Sequence, residues 1–286
     1  MNLIHFAILS KWDFIHFRLG GPGLGNLLFP LYRALQNQIV YGGEIIFPQF
    51  RQIKIGPFLR KEKDKRTYGN IFWPRSKADI LLQFKSLTQK SILENDLNKN
   101  VSLNIKESIT VKYFGLNNYF HDLEPEYIAE FNKFLLAKVK SRRKIDECRQ
   151  LISENNVAIH LRLGDFSYVN KGHPDERRMN ARVPIEWYGK IIHNLINQNP
   201  NLVFTVFTDE KILSQEQLNI LGKPAIDTSD NALEAILRMS FYPILIGSQS
   251  TFSLWAAFLG QSTIILPSGF DVMQYTSKDK INYVEA

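Results

Sequence analysis

Pro243–Pro267, PILIGSQSTFSLWAAFLGQSTIILP, decides how the chain is read. PILIG (243–247) is a short apolar run of strand length. Ser250–Leu259 opens on hydroxyl residues and continues as an apolar helix. TIILP (263–267) is again a strand run, closed by proline. The same alternation continues upstream. Asp230–Ser240 (DNALEAILRMS) carries an N-cap residue type at its start and reads as a helix. Ala225–Asp227 suits a short strand, Lys211–Leu221 a helix, and Leu202–Thr208 (LVFTVFT) a buried strand. Pro184–Asn199 places Ile185, Tyr188, Ile192 and Leu195 at helical spacing with proline near its start. Val157–Arg162 (VAIHLR) is β-rich. Short apolar strands alternating with helices predict an α/β fold whose parallel sheet is covered on both faces.

The first half repeats the theme less clearly. Phe14–Leu19 (FIHFRL) is a strand candidate, Gly20–Gly25 (GGPGLG) a tight glycine loop, and Asn26–Val40 a helix with Leu28, Leu31, Leu35 and Ile39 on one face. Gly43–Pro48 starts a second strand, residues 50–100 read as basic and irregular, Ile109–Tyr113 suits a strand, and Glu124–Ser153 one or two helices. The expected division is an N-terminal α/β domain over residues 1–150 and a C-terminal one over 151–286, with a basic helix Phe131–Ile152 leading into the second. Two such domains would hold a ligand in the cleft between them, where strand ends meet helix N-termini.

A chain of 286 residues buries roughly three quarters of its unfolded surface and needs no staples to hold a core. Hydrophobic residues at 44% and charged residues at 22% exclude global disorder and coiled coil. The single cysteine, Cys148, allows no internal disulfide, fits a reducing compartment and excludes a cysteine-based zinc site. Net charge is +7, unevenly placed: residues 1–182 carry +11 and residues 183–286 carry −4. Arg51–Arg66 and Lys138–Arg149 are the densest basic clusters. They suit an anionic partner (nucleic acid, a phosphorylated substrate or an anionic membrane face) or simply a solvated surface. No apolar stretch is long enough to span a bilayer, and the N-terminus lacks the features of a signal peptide.

Three segments at strand-to-loop transitions carry chemistry. The glycine loop before Asn26 lets backbone approach a ligand, although it lacks the G-x-G-x-x-G spacing and holds Pro22; a packing turn is the plainer reading. In His160-Leu161-Arg162-Leu163-Gly164-Asp165, strand alternation puts His160 and Arg162 on one face. A covered strand carries such residues where its end opens into a site, and a guanidinium forks onto phosphate with two charge-assisted bonds. The alternative is an Arg162 paired with an internal carboxylate such as Asp165. In Gly247–Ser253 (GSQSTFS), hydroxyls crowd a helix start, where first-turn N–H groups and the dipole favour an anion; capping needs only one of them. Asp209-Glu210 after LVFTVFT reads as a metal-binding pair or as carboxylates at a helix start. Six histidines without H-x-x-x-H spacing give no zinc site, and neither a Walker loop nor a G-x-S-x-G elbow is present. A basic nucleic-acid-binding protein remains a rival class, although its basic clusters lack regularly interleaved aromatics.

Taken together, GGPGLGNLLF (Gly20–Phe29), HLRLGD (160–165), VFTVFTDE (203–210) and SQSTFSLWAAFLG (248–260) resemble, in order and spacing, the motifs of the α-1,2-fucosyltransferases of glycosyltransferase family 11. The chain departs from that pattern at Leu163, where many relatives have a second arginine, at Pro22, and at Leu254. The resemblance implies a GT-B-like α/β fold of two Rossmann-like domains, the first on the acceptor side and the second binding the nucleotide sugar. It implies inverting, metal-independent transfer of L-fucose from GDP-β-L-fucose to a galactose hydroxyl, with no cofactor beyond the donor substrate. The acceptor would be a galactose-containing glycan or a lipopolysaccharide or exopolysaccharide precursor. It implies that Arg162 binds the donor pyrophosphate, that Ser250, Thr251 and Phe252 touch the donor and that Asn26 lies near the acceptor; with the residue reading above, the expected site has Arg162, His160, Asp165 and Asn26 as catalytic residues, and Gly25, Arg162, Ser250, Thr251, Phe252 and Asp209 around the donor. Another nucleotide sugar is the alternative donor. Since nucleotide sugars are cytosolic, the expected location is the cytoplasm, with peripheral contact at the inner membrane face through Arg51–Arg66.

Overall fold

The computed structural model describes residues 3–10, 12, 13, 16–53, 55, 59, 67–97, 108–163, 182–210 and 212–286. The chain forms two compact units that part between Lys140 and Ser141.

The second unit is built on six parallel strands: β8 (Asn156–Leu161), β9 (Val203–Thr208), β10 (Ala225–Ile226), β11 (Ile244–Ile246), β12 (Thr263–Leu266) and β13 (Tyr283–Glu285). Their order across the sheet is β10-β9-β8-β11-β12-β13. Counted from β8 this is 3-2-1-4-5-6, the doubly wound Rossmann order. Helices α5 (Ile185–Gln198), α6 (Gln215–Ile220), α7 (Ala232–Met239) and α8 (Thr251–Gly260) supply the crossovers. Val157, Ile159 and Leu161 of β8 pack with Tyr188, Ile191 and Ile192 of α5 and Val206 of β9, so the central strand is sealed. The apolar runs of the sequence are continuous because these strands are covered on both faces. The helix expected over Lys211–Leu221 is shorter: a capping box between Ser214 and Gln217 starts it at Gln215. Asn231, not Asp230, caps α7, its side chain accepting the Glu234 amide.

The first unit has four parallel strands in the order β4-β1-β7-β6: β1 (Leu3–Ala7), β4 (Glu44–Ile46), β6 (Lys90–Leu93) and β7 (Ile109–Tyr113). A small sheet of two-residue strands, β2 (Trp12–Asp13), β3 (Arg18–Leu19) and β5 (Gln52–Ile53), stands beside it. Of the strand expected over Phe14–Leu19, Phe14 and Ile15 lie outside the described residues and Arg18–Leu19 forms β3, while the strand of the larger sheet is LIHFA, β1. Helix α1 (Leu24–Tyr41) buries an unbroken run from Leu27 to Leu35. Within it, Arg33 grips Glu94 through Nε and one terminal nitrogen at 2.8 and 3.2 Å and donates to the Phe114 and Gly115 carbonyls. Helix α2 (Lys77–Thr88) lies in the stretch read as irregular, and it is built inside out. Asp79, Gln83 and Ser86 are buried, while Leu81, Phe84 and Leu87 are exposed. A capping box between Ser76 and Asp79 starts it.

The expected basic helix Phe131–Ile152 is two helices, α3 (Ile128–Leu136) and α4 (Arg142–Leu151). The second belongs to the second unit, where it buries Ile145 and Cys148 and packs against α7. The Lys138–Arg149 cluster is largely paired within the protein. Arg142 faces Asp146, Arg143 faces Glu147, Lys144 bonds Asp230, Lys138 bonds Asp79, and Arg149 lies over the Phe241 ring. Burial raises the Cys148 thiol pKa, in keeping with a packing role.

Candidate functional site

In a doubly wound sheet, ligands gather beyond the strand ends at the point where the winding reverses. Here that point lies between β8 and β11, which are neighbours. β8 ends at Leu161, followed by Arg162; β11 ends at Ile246, followed by Gly247 and Ser248. Gly247 is required by packing: a Cβ there would sit 2.6 Å from Ile264 Cδ1 and 2.9 Å from its Cγ1. With no side chain at 247, β11 can run tight against β12 and deliver Ser248 to the site.

His160 lies at the end of β8 and is only 4% exposed. Its Nδ1 is 2.6 Å from Ser253 Oγ and 2.8 Å from Ser248 Oγ, and its ring stacks on Phe252 with centroids 4.8 Å apart. Burial, reinforced by the Arg162 charge, lowers its pKa to about 3, so the imidazole is neutral in ordinary buffers. The hydroxyls of Ser248, Ser250 and Ser253 close into one buried network, with Ser250 capping α8 by accepting the Ser253 amide. Three of the hydroxyls in GSQSTFS therefore face inward, and this answers why capping alone did not account for them. Ser250 offers its side chain to the helix and not outward. Thr251 and Phe252 are half-buried in the first turn of α8.

Arg162 follows β8, its side chain about a fifth exposed. Its Nε donates to Asp209 Oδ2 at 3.1 Å, while Asp209 Oδ1 accepts the Leu163 amide at 2.9 Å. One carboxylate at the end of β9 thus grips both the guanidinium and the backbone next to it. Among the described residues, Asp209 is a carboxylate partner of Arg162, as the ion-pair alternative expected of some internal acid. Asp209 and Glu210 do not start a helix, because α6 begins only at Gln215. Asp165 lies outside the described residues. Tyr188 of α5 donates from its hydroxyl to the His160 carbonyl at 3.2 Å and holds the strand end. Ser248, Ser253 and Tyr188 were missing from the expected site. Only the hydroxyl density of residues 248–253 hinted at two of them.

The first unit holds Gly25 and Asn26 in the opening turn of α1. The helix starts at Gly23 without a side-chain cap, and Asn26 donates its amide back to the Gly23 carbonyl at 3.0 Å. Pro30 has no N–H, so the Asn26 carbonyl lacks its usual helical donor. Gly25 is buried and Asn26 half-buried. The glycine loop has a packing reason of its own. Gly20 and Gly21 have φ of +66° and +117°, and a Cβ on Gly21 would run into the guanidinium of Arg18. Arg18 is fully buried and donates to the Gly20 carbonyl at 3.0 Å. Among the described residues, no group of three or more His, Cys, Asp or Glu side chains is placed to hold a metal ion.

The family described as glycosyl transferase family 11 matches residues 77–284. Curated proteins return no match. Among solved structures, POFUT1 in complex with GDP is 10% identical, aligns over 99% of this chain and 98% of its own, and gives a TM-score of 0.51. POFUT1 in complex with GDP-fucose is 11% identical over 99% and 98%, with a TM-score of 0.50. The fucosyltransferase NodZ from Bradyrhizobium is 13% identical over 87% and 94%, with a TM-score of 0.46. The likeness to POFUT1 is one of fold, an α/β architecture of the GT-B-like kind with parallel sheets.

Proposed function

Because the chain belongs to glycosyl transferase family 11, we propose that it moves L-fucose from GDP-β-L-fucose to a galactose hydroxyl of a glycan, with inversion, making an α-1,2 linkage. The observation that carries this reading is the Arg162–Asp209 clamp beside the start of α8 at the switch point of the sheet. POFUT1, whose fold it shares, forms a complex with GDP-fucose, which supports that donor.

The chemistry follows from these parts. GDP leaves as an anion, so departure is eased by charge placed at the diphosphate. Arg162 supplies a guanidinium whose orientation Asp209 fixes, and α8 supplies first-turn N–H groups and its dipole. Thr251 and Phe252 stand in that turn and would contact the donor. Ser250 acts through the cap. His160 is reassigned from catalysis to positioning: neutral, buried and occupied with hydroxyls, it holds the serine network that shapes the start of α8. The sugar passes through an oxocarbenium-like state, so attack needs an oriented hydroxyl and a modest base. Asp165, by its position three residues after Arg162, is the candidate for that base, with orientation of Arg162 as its alternative role; Gly25 is assigned to the donor, and Asn26 and the rest of the first unit to the acceptor side. The first unit then binds acceptor, as the expected 1–150 domain would, and the second binds the nucleotide sugar.

No helix among the described residues is long and apolar enough to cross a membrane. Nucleotide sugars are cytosolic, so the proposed location is the cytoplasm. The basic segment Arg51–Arg66 would rest on the inner membrane face, an electrostatic contact that a high-salt wash releases. The deciding experiment offers a panel of nucleotide sugars with a galactose-terminated glycan and reads products by mass and linkage. A deoxyhexose added from GDP-fucose in α-1,2 linkage is expected. Transfer from another nucleotide sugar, with none from GDP-fucose, would overturn the reading.

A further inference from the structure

The first unit contains a cavity of about 360 Å³ that none of the catalytic assignments uses. Its floor is aromatic: Phe72 packs on Phe50 and Phe47 with centroids 4.4 and 5.1 Å apart. At its rim Trp73 is 59% exposed, an unusual placement for the largest apolar side chain. Three permanent cations line it. Lys140 Nζ stands 5.9 Å over the Trp73 ring; the side chain of Arg51 is laid along Gly69; Arg75 is anchored by donating to Gln83 and to the Asp79 carbonyl. Among the described residues that line it, none is a carboxylate. Asp79, whose carbonyl Arg75 holds, turns its carboxylate elsewhere: it accepts from Ser76 and the Phe47 amide and pairs with Lys138. Burial alone would raise its pKa, but these bonds win and the pKa is lowered, so its charge is spent on α2 and Lys138 and does not neutralise the cavity.

We propose that this cavity binds an acidic saccharide, a pyranose ring bearing a carboxylate or a phosphate, as part of the acceptor; the proposal rests on the glycosyl transferase reading above. The fit is chemical. Guanidinium and ammonium groups take a carboxylate or phosphate through charge-assisted bonds. The indole face of Trp73 offers an amphipathic surface for the C–H side of a sugar ring, leaving ring hydroxyls to the polar wall. The volume lies at the small end of the range for ligand pockets, enough for a monosaccharide and too little for an extended chain. The excess of cations over acids disfavours a neutral sugar relative to a charged one, which is the specificity the cavity adds.

The test uses the full chain and direct binding, not turnover. Four probes are titrated by calorimetry: a glucuronosyl-galactose disaccharide, its neutral glucosyl counterpart, glucose 1-phosphate and a single-stranded oligonucleotide. The acidic disaccharide or the sugar phosphate should bind at least about tenfold more tightly than the neutral disaccharide. Whichever anionic probe wins tells carboxylate from phosphate. In Arg51→Gln and Lys140→Gln, the preference for the anionic probe should fall severalfold with an unchanged melting temperature. Trp73→Ala should weaken acidic and neutral sugars alike. Equal binding of acidic and neutral disaccharides would overturn the proposal. So would an anion preference that survives both glutamine substitutions, or an oligonucleotide bound more tightly than any sugar with a steep salt slope. GDP-fucose is titrated separately. Its failure to bind would undo the donor assignment while leaving the cavity measurements readable on their own.

Discussion

His160 carries a stability consequence that can be measured without knowing the substrate. Its pKa falls from 6.5 in the unfolded chain to about 3 in the fold, because burial excludes the charged form and the Arg162 charge adds to this. Between those values the unfolded chain binds the proton and the folded chain does not. Stability from this group is therefore fully present above pH 6.5 and drains away as pH falls toward 3. From pH 7.5 to pH 5 the loss comes to about 2 kcal/mol, taking 1.36 kcal/mol per pKa unit. The perturbation is His160→Asn, which keeps a small polar side chain near Ser248 and Ser253 but cannot titrate. The substitution lowers stability at every pH by removing the ring contact with Phe252, so the informative quantity is the slope. Urea unfolding at pH 7.5, 6 and 5, followed by tryptophan fluorescence, should show the wild type losing about 2 kcal/mol more than the variant over that range. His5, also buried with a lowered pKa, is common to both proteins and cancels. Parallel pH profiles for the two proteins would refute the reasoning, since they would mean that His160 is not held neutral by the fold.

Arg162→Ala should lower turnover of GDP-fucose on the order of a hundredfold or more, corresponding to about 2–4 kcal/mol of transition-state stabilisation. Arg162→Lys should recover little, because it keeps the charge but loses the Nε bond to Asp209; a folded alanine variant with near-normal turnover would make Arg162 a structural ion-pair partner. Turnover should persist in excess EDTA, since Arg162 and the start of α8 are the proposed charge neutralisers. Activity lost to EDTA and restored by Mg²⁺ or Mn²⁺ would refute that. Gly247→Ala places a methyl 2.6 Å from Ile264 Cδ1 and should destabilise by about 1–3 kcal/mol in urea unfolding; an unchanged midpoint would show that β11 has room to spare.

Much of the second unit could be read from residues alone, and the physical reason is burial. A strand covered on both faces must be apolar throughout, so VAIHL, VFTVFT, ILI and TIIL stand out against the helices between them. The glycine and hydroxyl residues after β11 and the His-x-Arg at the end of β8 were visible for the same reason, as polar residues where a sealed strand should have none. Helix α2 was invisible for the opposite reason. Its apolar residues face outward and its polar ones inward, where Arg75, Lys138 and Thr110 meet Asp79, Gln83 and Ser86, so its pattern gives no conventional apolar stripe. LIHFA and FIHFRL carry the same local preference, and only long-range pairing with β4 and β7 singles out LIHFA. Residue types and their order were thus enough for the α/β class and for seeing that His160, Arg162 and the 248–253 turn stand at the ends of β8 and β11. Tertiary structure alone decided who holds whom: that Asp209 grips Arg162 across 47 residues of chain, that Ser248 and Ser253 face inward to a neutral His160, and that Arg18 fills the space under Gly21. Hydrogen-bond partners distant in sequence are set by the register of parallel strands, and no local pattern encodes that register.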